Sequence, residues 1–175
     1  AAAYGSLWLM LPMESGVEDF CRAKQMLEQT RAELDAQGTG PLGDVKLGVM
    51  IETPAMVLMA KEIARRADFA SIGTNDLCQY LTAADRMTPT VAPYCRSTHP
   101  ALYRAIDIVA RAFREEGKPI CVCGELAGDV QAAGVLAGGR YDHLLHRMGR
   151  QGGAIGFAVY LDQLERFGAP ARDEV

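Results

Sequence analysis

The chain has 175 residues, of which 49% are hydrophobic and 23% charged, and it carries a formal net charge of −4. That length suits one domain with a buried core, and the slight acidity gives no reason to expect nucleic acid or an anionic membrane as partner. No apolar run approaches the roughly 18 residues that span a bilayer. The five cysteines are irregularly spaced and form no Cys-x-x-Cys pair, which argues against structural zinc or a disulfide framework and favours free thiols in a reducing cytoplasm.

Strand-like and helix-like segments alternate along the chain. In chain order, the predicted elements are strand 7–11, helix 15–37, strand 45–51, helix 54–67, strand 69–72, helix 76–82, a loop at 83–98, helix 100–117 and strand 119–122. Residues 141–145 are compatible with a fifth strand and residues 154–167 with a last helix. Such alternation predicts an α/β fold with about five parallel strands and right-handed crossovers.

Helix starts are marked by capping residues. Ser15 and Glu18 match a capping box, in which Ser15 is the N-cap and Glu18 reaches back to it. Thr53 followed by Pro54 gives an N-cap and a proline at the first helical position. His99-Pro100 has the form of a helix start, and Asp129 is the predicted cap of the helix after the fourth strand.

Three of the predicted strands end in polar residues that carry chemistry. Glu52 follows the second strand, Asn75 and Asp76 follow the third, and Cys123 follows the fourth. The carboxyl ends of parallel strands lie at one edge of a sheet, where α/β proteins bind ligands. The sequence therefore predicts one site containing two carboxylates, an amide and a thiol.

Each of these residues has a structural explanation beside the functional one. Glu52 and Asp76 can jointly hold Mg²⁺, or each can stabilise the start of the following helix. Asn75 can donate to an anionic ligand or serve as a turn residue. Arg86, in the long loop, can clamp a phosphate or carboxylate or be a solvated charge.

Two cysteines lie on one face of the fourth strand. Cys123, beside a helix N-terminus, can have a depressed pKa and act as nucleophile or acid–base group, or it can be a small buried hydrophobe. Cys121, two residues earlier, is the better candidate for a core thiol. No histidine lies in a recognisable nucleophile setting.

Four motifs in order resemble one known family. They are Ile51-Glu52-Thr53-Pro54-Ala55, Ser71-Ile72-Gly73-Thr74-Asn75-Asp76-Leu77, Ala84-Asp85-Arg86 and Cys123-Gly124-Glu125-Leu126-Ala127-Gly128-Asp129. Together they resemble the phosphoenolpyruvate-binding domain of enzyme I, the phosphoenolpyruvate–protein phosphotransferase of the bacterial sugar phosphotransferase system. The resemblance covers roughly residues 7–138.

The resemblance implies a TIM barrel that binds phosphoenolpyruvate and Mg²⁺ at its C-terminal rim. By motif position, Glu52 and Asp76 would be Mg²⁺ ligands, Asn75 and Arg86 would hold the phosphate, and Cys123 would protonate the enolpyruvate methylene as pyruvate forms. The phosphoryl group would pass to a histidine on another domain. A phosphocarrier protein and a homodimeric full-length enzyme are also implied.

The chain is shorter than the complete barrel of that family. A full (β/α)₈ barrel needs about 250 residues, so we expect residues 1–175 to be one barrel domain that is incomplete on its N-terminal side and inactive alone. Residues 139–175 match the family poorly. The remaining alternatives are a fragment of a pyruvate phosphate dikinase or phosphoenolpyruvate synthase, a nitrogen-related paralogue, and a catalytically incomplete dimerisation or binding module.

Overall fold

A computed structural model describes residues 6–38 and 43–128, and within them the strands form one parallel sheet. The strands are β1 (Leu7–Leu11), β2 (Val45–Ile51), β3 (Phe69–Gly73) and β4 (Ile120–Cys123), in the order β1-β2-β3-β4. The register pairs Leu9 with Leu47, Ile51 with Ile72 and Gly73 with Cys123. The predicted α/β class and its parallel sheet are confirmed. The predicted fifth strand at 141–145, the helix at 154–167 and the cap at Asp129 lie outside the described residues.

Helices follow the strands and cover one face of the sheet. They are α1 (Val17–Ala36), α2 (Pro54–Leu58), α3 (Ala60–Ala64), α4 (Thr74–Thr82) and α5 (Pro100–Glu115), with short 3₁₀ turns at Ala92–Tyr94 and Glu125–Gly128. Helix α5 packs on α2, α3, α4 and β3. Its Phe113 is fully buried, as are Ile51 and Val49 of β2. Side chains of this size each stabilise the fold by roughly 1.5–3 kcal/mol when fully buried.

The opposite face of the sheet carries an aromatic pair near the N-terminal ends of the strands. A Cβ on Gly48 would lie 2.4 Å from the Phe69 ring, so only glycine lets that ring lie across β2. The Trp8 ring packs against the Phe69 ring at a tilt of 43°, with 4.7 Å between the two centroids. Strand alternation places Ser71, Cys121 and Cys123 on this same face, towards the C-terminal ends.

The predicted capping box at Ser15 is wrong. Helix α1 begins at Val17, and its N-cap is Gly16, whose backbone is extended and which makes no side-chain cap hydrogen bond. The Glu18 carboxylate folds back over this position, since a Cβ on Gly16 would lie 3.2 Å from Glu18 Oε2. Glu18 therefore stabilises the helix as an acid in the first turn, not as the second half of a capping box.

The helix predicted over 54–67 is divided in two. Thr53 is its N-cap as predicted, since Thr53 Oγ1 accepts from Met56 N at 3.3 Å. At Met59 the backbone leaves helical geometry (φ −94°, ψ 16°), which separates α2 from α3.

Of the predicted starts of the other two helices, one is confirmed and one is displaced. The one predicted at His99-Pro100 is confirmed, because His99 Nδ1 accepts from Ala101 N at 3.1 Å. Helix α4 begins at Thr74, two residues earlier than predicted. That earlier start places both Asn75 and Asp76 in the first turn of α4.

Candidate functional site

Glu52 is held at the end of β2 by its two neighbouring strands. Its side chain is 4% exposed, and Oε1 accepts from Met13 N at 2.7 Å just beyond β1. Met13 reaches this position with a positive φ of 54°. On the other side, Gly73 leaves the space, because a Cβ there would lie 2.7 Å from Glu52 Oε2. The carboxylate is thus fixed from both sides.

The electrostatic surroundings of Glu52 disfavour its negative charge. Burial raises the pKa of the Glu52 carboxyl above its usual value, the hydrogen bond from Met13 lowers it, and the nearby Asp76 carboxylate raises it further. The net direction is upward. A cation placed between the two carboxylates would relieve this repulsion.

Helix α4 presents an amide and an acid at the same edge and is tied to the end of β4. Asn75 Oδ1 accepts from Glu125 N at 3.1 Å, which fixes the amide and commits only its oxygen. Thr74 Oγ1 donates to Cys123 O at 2.6 Å. The contact needs Gly124, whose φ is +94° and where a Cβ would lie 2.6 Å from Thr74 Oγ1.

The loop between α4 and α5 brings Arg86 to the same edge. An Arg86 guanidinium nitrogen lies 3.9 Å from Asp76 Oδ1, with side chains 41% and 39% exposed. The backbone is held in place by Arg86 N, which donates to Gln79 Oε1 at 3.2 Å. A pair this exposed contributes about 0–1 kcal/mol, so the guanidinium is free to exchange Asp76 for a ligand.

Cys123 has a raised pKa, and not the depressed value that one of its two sequence interpretations, a reactive thiol beside a helix N-terminus, allows. Burial is the largest cause, the Ser71 hydroxyl opposes it, and the Glu52 and Asp76 carboxylates raise the pKa further. The thiol donates to Ile72 O at 3.3 Å. The surroundings therefore favour a protonated thiol at neutral pH, which suits a proton donor better than a thiolate nucleophile.

The neighbouring Cys121 is not the core thiol that the sequence predicts, because it is half-buried, as Cys123 is, and lies outside the cluster of core residues. Its Sγ lies 3.5 Å from Ala70 O, one step further from the strand end than Cys123, and burial raises its pKa too. The two thiols of β4 therefore contact different carbonyls of β3.

Ser71 is a polar residue of this region that the sequence did not single out. It is 2% exposed, and within the described part of the chain its Oγ makes no hydrogen bond of good geometry, although it lies near enough to the thiols of Cys121 and Cys123 to lower their pKa values. It faces Cys121 across the β3–β4 register. The feature of the sequence that could have drawn attention to Ser71 is that it is the one polar residue in the apolar strand β3.

We expect Ser71→Ala to leave the free energy of unfolding unchanged or to raise it by up to about 1 kcal/mol. The reason is that a buried hydroxyl without a good hydrogen bond is costly to desolvate. Chemical denaturation of the wild-type and variant chains measures the difference. A loss of more than about 1 kcal/mol would show that the hydroxyl is bonded in solution.

The two carboxylates fit a hard divalent cation. Among residues 6–38 and 43–128, no group of three or more His, Cys, Asp or Glu side chains is arranged to hold a metal. Glu52 and Asp76 nevertheless provide the oxygen donors that Mg²⁺ prefers, since this ion typically takes one or two carboxylates and completes its shell with water and ligand oxygens.

The sequence matches one protein family. The sequence fits the model of the family described as "PEP-utilising enzyme, PEP-binding domain" over residues 1–147. The chain belongs to this family.

No helix in the described residues is both long and apolar enough to cross a membrane.

Curated relatives agree with that assignment. The chain is 41% identical over 138 residues to the phosphoenolpyruvate-protein phosphotransferases of Priestia megaterium and Bacillus subtilis, matching 79% of this chain and 24% of each relative. It is 38% identical over 143 residues to an Escherichia coli protein named "Phosphoenolpyruvate-dependent phosphotransferase system", matching 82% of this chain and 19% of that protein. The resemblance to enzyme I is confirmed, and the chain spans about a quarter of these relatives or less.

Solved structures show the same barrel-type fold. An HpcH/HpaI aldolase/citrate lyase family protein from Burkholderia cenocepacia superimposes with a TM-score of 0.51 at 17% identity, covering 91% of this chain and 61% of that one. A citrate lyase from Burkholderia xenovorans gives 0.50 at 20% identity, covering 70% and 39%. These are TIM-barrel-type proteins, so the four-stranded sheet corresponds to part of such a barrel.

Proposed function

We propose that this chain is the C-terminal, phosphoenolpyruvate- and Mg²⁺-binding part of an enzyme I-type phosphotransferase. The complete enzyme would transfer the phosphoryl group of phosphoenolpyruvate to a histidine on another domain and release pyruvate. One observation carries the proposal: the Glu52 and Asp76 carboxylates are near enough to the end of β4 to raise the pKa of the Cys123 thiol, and Arg86 pairs with Asp76 beside them.

The acidic and basic groups have complementary roles in this proposal. Glu52 and Asp76 would hold Mg²⁺, which when bound offsets charge on the phosphoryl oxygens. Arg86 would exchange Asp76 for the phosphate and bind it through two parallel N–H donors. The Asn75 amide nitrogen would add a neutral donor, since its oxygen is committed to Glu125 N.

Cys123 would act as the general acid. When the phosphoryl group leaves phosphoenolpyruvate, the remaining enolate needs one proton on its methylene carbon to become pyruvate. A thiol kept protonated chiefly by burial can donate that proton from Sγ. The resulting thiolate would recover its proton from water.

The remaining parts of the proposal, namely the partners, the compartment and the oligomeric state, are those that the resemblance to enzyme I implies. The proposed complete enzyme carries the acceptor histidine and the surface for a small phosphocarrier protein outside this chain, works in the cytoplasm and forms a homodimer. Residues 1–175 would be a single barrel domain that lacks its N-terminal strands, with residues 139–175 outside the proposed site.

We expect the 175-residue chain to bind oxalate, an enolpyruvate mimic, only when Mg²⁺ is present, and Glu52→Gln to weaken that binding by tenfold or more, on the order of 1.4 kcal/mol. The reason is that the amide keeps the size of the side chain but removes the charge that attracts the ion. Titration calorimetry with and without Mg²⁺ measures both effects.

Glu28→Gln is the matched control, because Glu28 is an exposed acid on α1, outside the strand-end site. It should bind as the wild type does. Oxalate binding that ignores Mg²⁺, or an equal loss in both variants, would remove Glu52 as a metal ligand.

Two phosphotransferase pathways are candidates for the complete enzyme, a sugar system and a nitrogen-related one. The reading frame upstream distinguishes the two: a phosphocarrier-binding domain alone fits the sugar enzyme, and an added sensory domain fits a nitrogen-related paralogue.

A further inference from the structure

Two cysteines outside the proposed site are brought together by α4 and the loop that follows it. Cys78 Sγ donates to Arg96 O at 3.1 Å, so this thiol lies beside the residue that follows Cys95. The Cys95 thiol, just after the 3₁₀ turn at Ala92–Tyr94, is near enough to raise the pKa of Cys78. Both cysteines are free, and both belong to or pack on the hydrophobic core. Two adjacent thiols on different segments are the starting geometry for a disulfide.

Cys78 precedes Arg86 in the chain and Cys95 follows it, inside the loop at 83–98 that carries Arg86. We propose that Cys78 and Cys95 are an oxidative modification site: a peroxide converts them to a reversible disulfide that ties the end of loop 83–98 to α4. Disulfides in cytosolic proteins are typically transient and regulatory.

The two thiols have different roles in the reaction. Cys78 is 3% exposed, and burial, with the Cys95 contact, raises its pKa to about 12. Cys95 is half-buried and is therefore the thiol that a small oxidant reaches. Its sulfur attacks the peroxide O–O bond, giving a sulfenic acid and one water. The Cys78 sulfur then attacks that sulfenic sulfur, so that the S–S bond forms, the S–O bond breaks, and the hydroxide leaves with the Cys78 proton as a second water.

The cross-link would act on the loop. A disulfide brings the two sulfurs to about 2.05 Å and removes the S–H donor, so the bond to Arg96 O is lost and the loop end is drawn towards α4. Arg86 must leave Asp76 to reach a ligand phosphate, and a tethered loop resists that movement. This consequence rests on the proposed function, whereas the cross-link itself does not.

Tryptic mapping of the 175-residue chain after reduction and hydrogen peroxide treatment tests the modification. Trypsin releases residues 67–86 and 87–96 as separate peptides, and these hold Cys78 and Cys95 respectively. Without reductant, the oxidised chain should give the two peptides joined, and dithiothreitol should part them. Cys95→Ser should abolish the joined species, and Cys21→Ser should not.

Cys78→Ser should leave Cys95 as a sulfenic acid that dimedone captures, which keeps the test open if the other variant folds poorly. Over-oxidation of Cys95 without joined peptides, or equally fast joining of Cys121 or Cys123, would overturn the proposal.

Ligand affinity tests the consequence separately. In titrations with Mg²⁺, oxidation should weaken phosphoenolpyruvate binding about fivefold or more, reversibly, and should leave oxalate unchanged because oxalate has no phosphate for Arg86. Joined peptides with unchanged phosphoenolpyruvate affinity would overturn only the link to Arg86. A reduced chain that binds neither ligand would contradict the proposed function and leave the disulfide standing.

Discussion

Cys123→Ala is expected to lower the rate of proton transfer to the methylene carbon of enolpyruvate by about 10²- to 10⁴-fold, the range that a positioned general acid contributes. The substitution removes the only group that the proposal assigns to the reacting carbon. Phosphoenolpyruvate binding should remain, because the proposed ligands Glu52, Asp76 and Arg86 are untouched. Exchange of pyruvate methyl protons in D₂O, followed by NMR on the complete phosphotransferase, measures the proton step apart from binding.

Two further variants separate acidity from packing. Cys121→Ala removes a thiol from the same strand face, one step deeper, and should leave the exchange rate close to that of the wild type. Cys123→Ser keeps a small polar group but replaces the thiol with a much weaker acid, so it should be nearly as slow as Cys123→Ala. Full exchange in Cys123→Ala, or lost binding with intact exchange, would refute the role of Cys123.

The strands were predictable from sequence to within one residue because each is a largely apolar run that stops at a proline, a polar residue or a glycine. Helix boundaries were less predictable. The spacing of Ser15 and Glu18 predicts a capping box, but the N-cap of α1 is Gly16, one residue later, with no side-chain cap hydrogen bond. Likewise, the periodicity from Pro54 onwards gives no sign of the break at Met59.

The strand-end residues of the site were predictable, but their environment was not. Glu52 depends on a backbone N–H at Met13, a residue 39 positions away whose side chain takes no part in the contact. The direction of the Cys123 pKa required knowing that burial and two carboxylates outweigh any helix N-terminus. Such effects arise from tertiary neighbours, which the order of residues along one strand does not reveal.

Gly73→Ala is expected to disrupt the proposed metal site through sterics alone. The added Cβ would lie 2.7 Å from Glu52 Oε2, 3.0 Å from Glu52 Cβ and 3.1 Å from Met50 Sδ. Contacts this short force the Glu52 side chain away from Met13 N, because the β2 and β3 backbones are fixed by their ladder. We expect tenfold or greater loss of Mg²⁺-dependent oxalate binding, and destabilisation of about 1–3 kcal/mol, typical of overpacking. Calorimetry and chemical denaturation measure the two effects.

Gly128→Ala is the control, since the same methyl group there meets nothing within 4 Å. It should change neither binding nor stability appreciably. The comparison matters because Gly73→Ala leaves every proposed ligand chemically intact and changes only where Glu52 can lie. If Gly73→Ala loses stability but keeps full Mg²⁺-dependent binding, the carboxylate is not needed at the position that Met13 and Gly73 define. If binding falls while the chain remains folded, that position is what the site requires, and the buried, repelled carboxylate is held there for the cation.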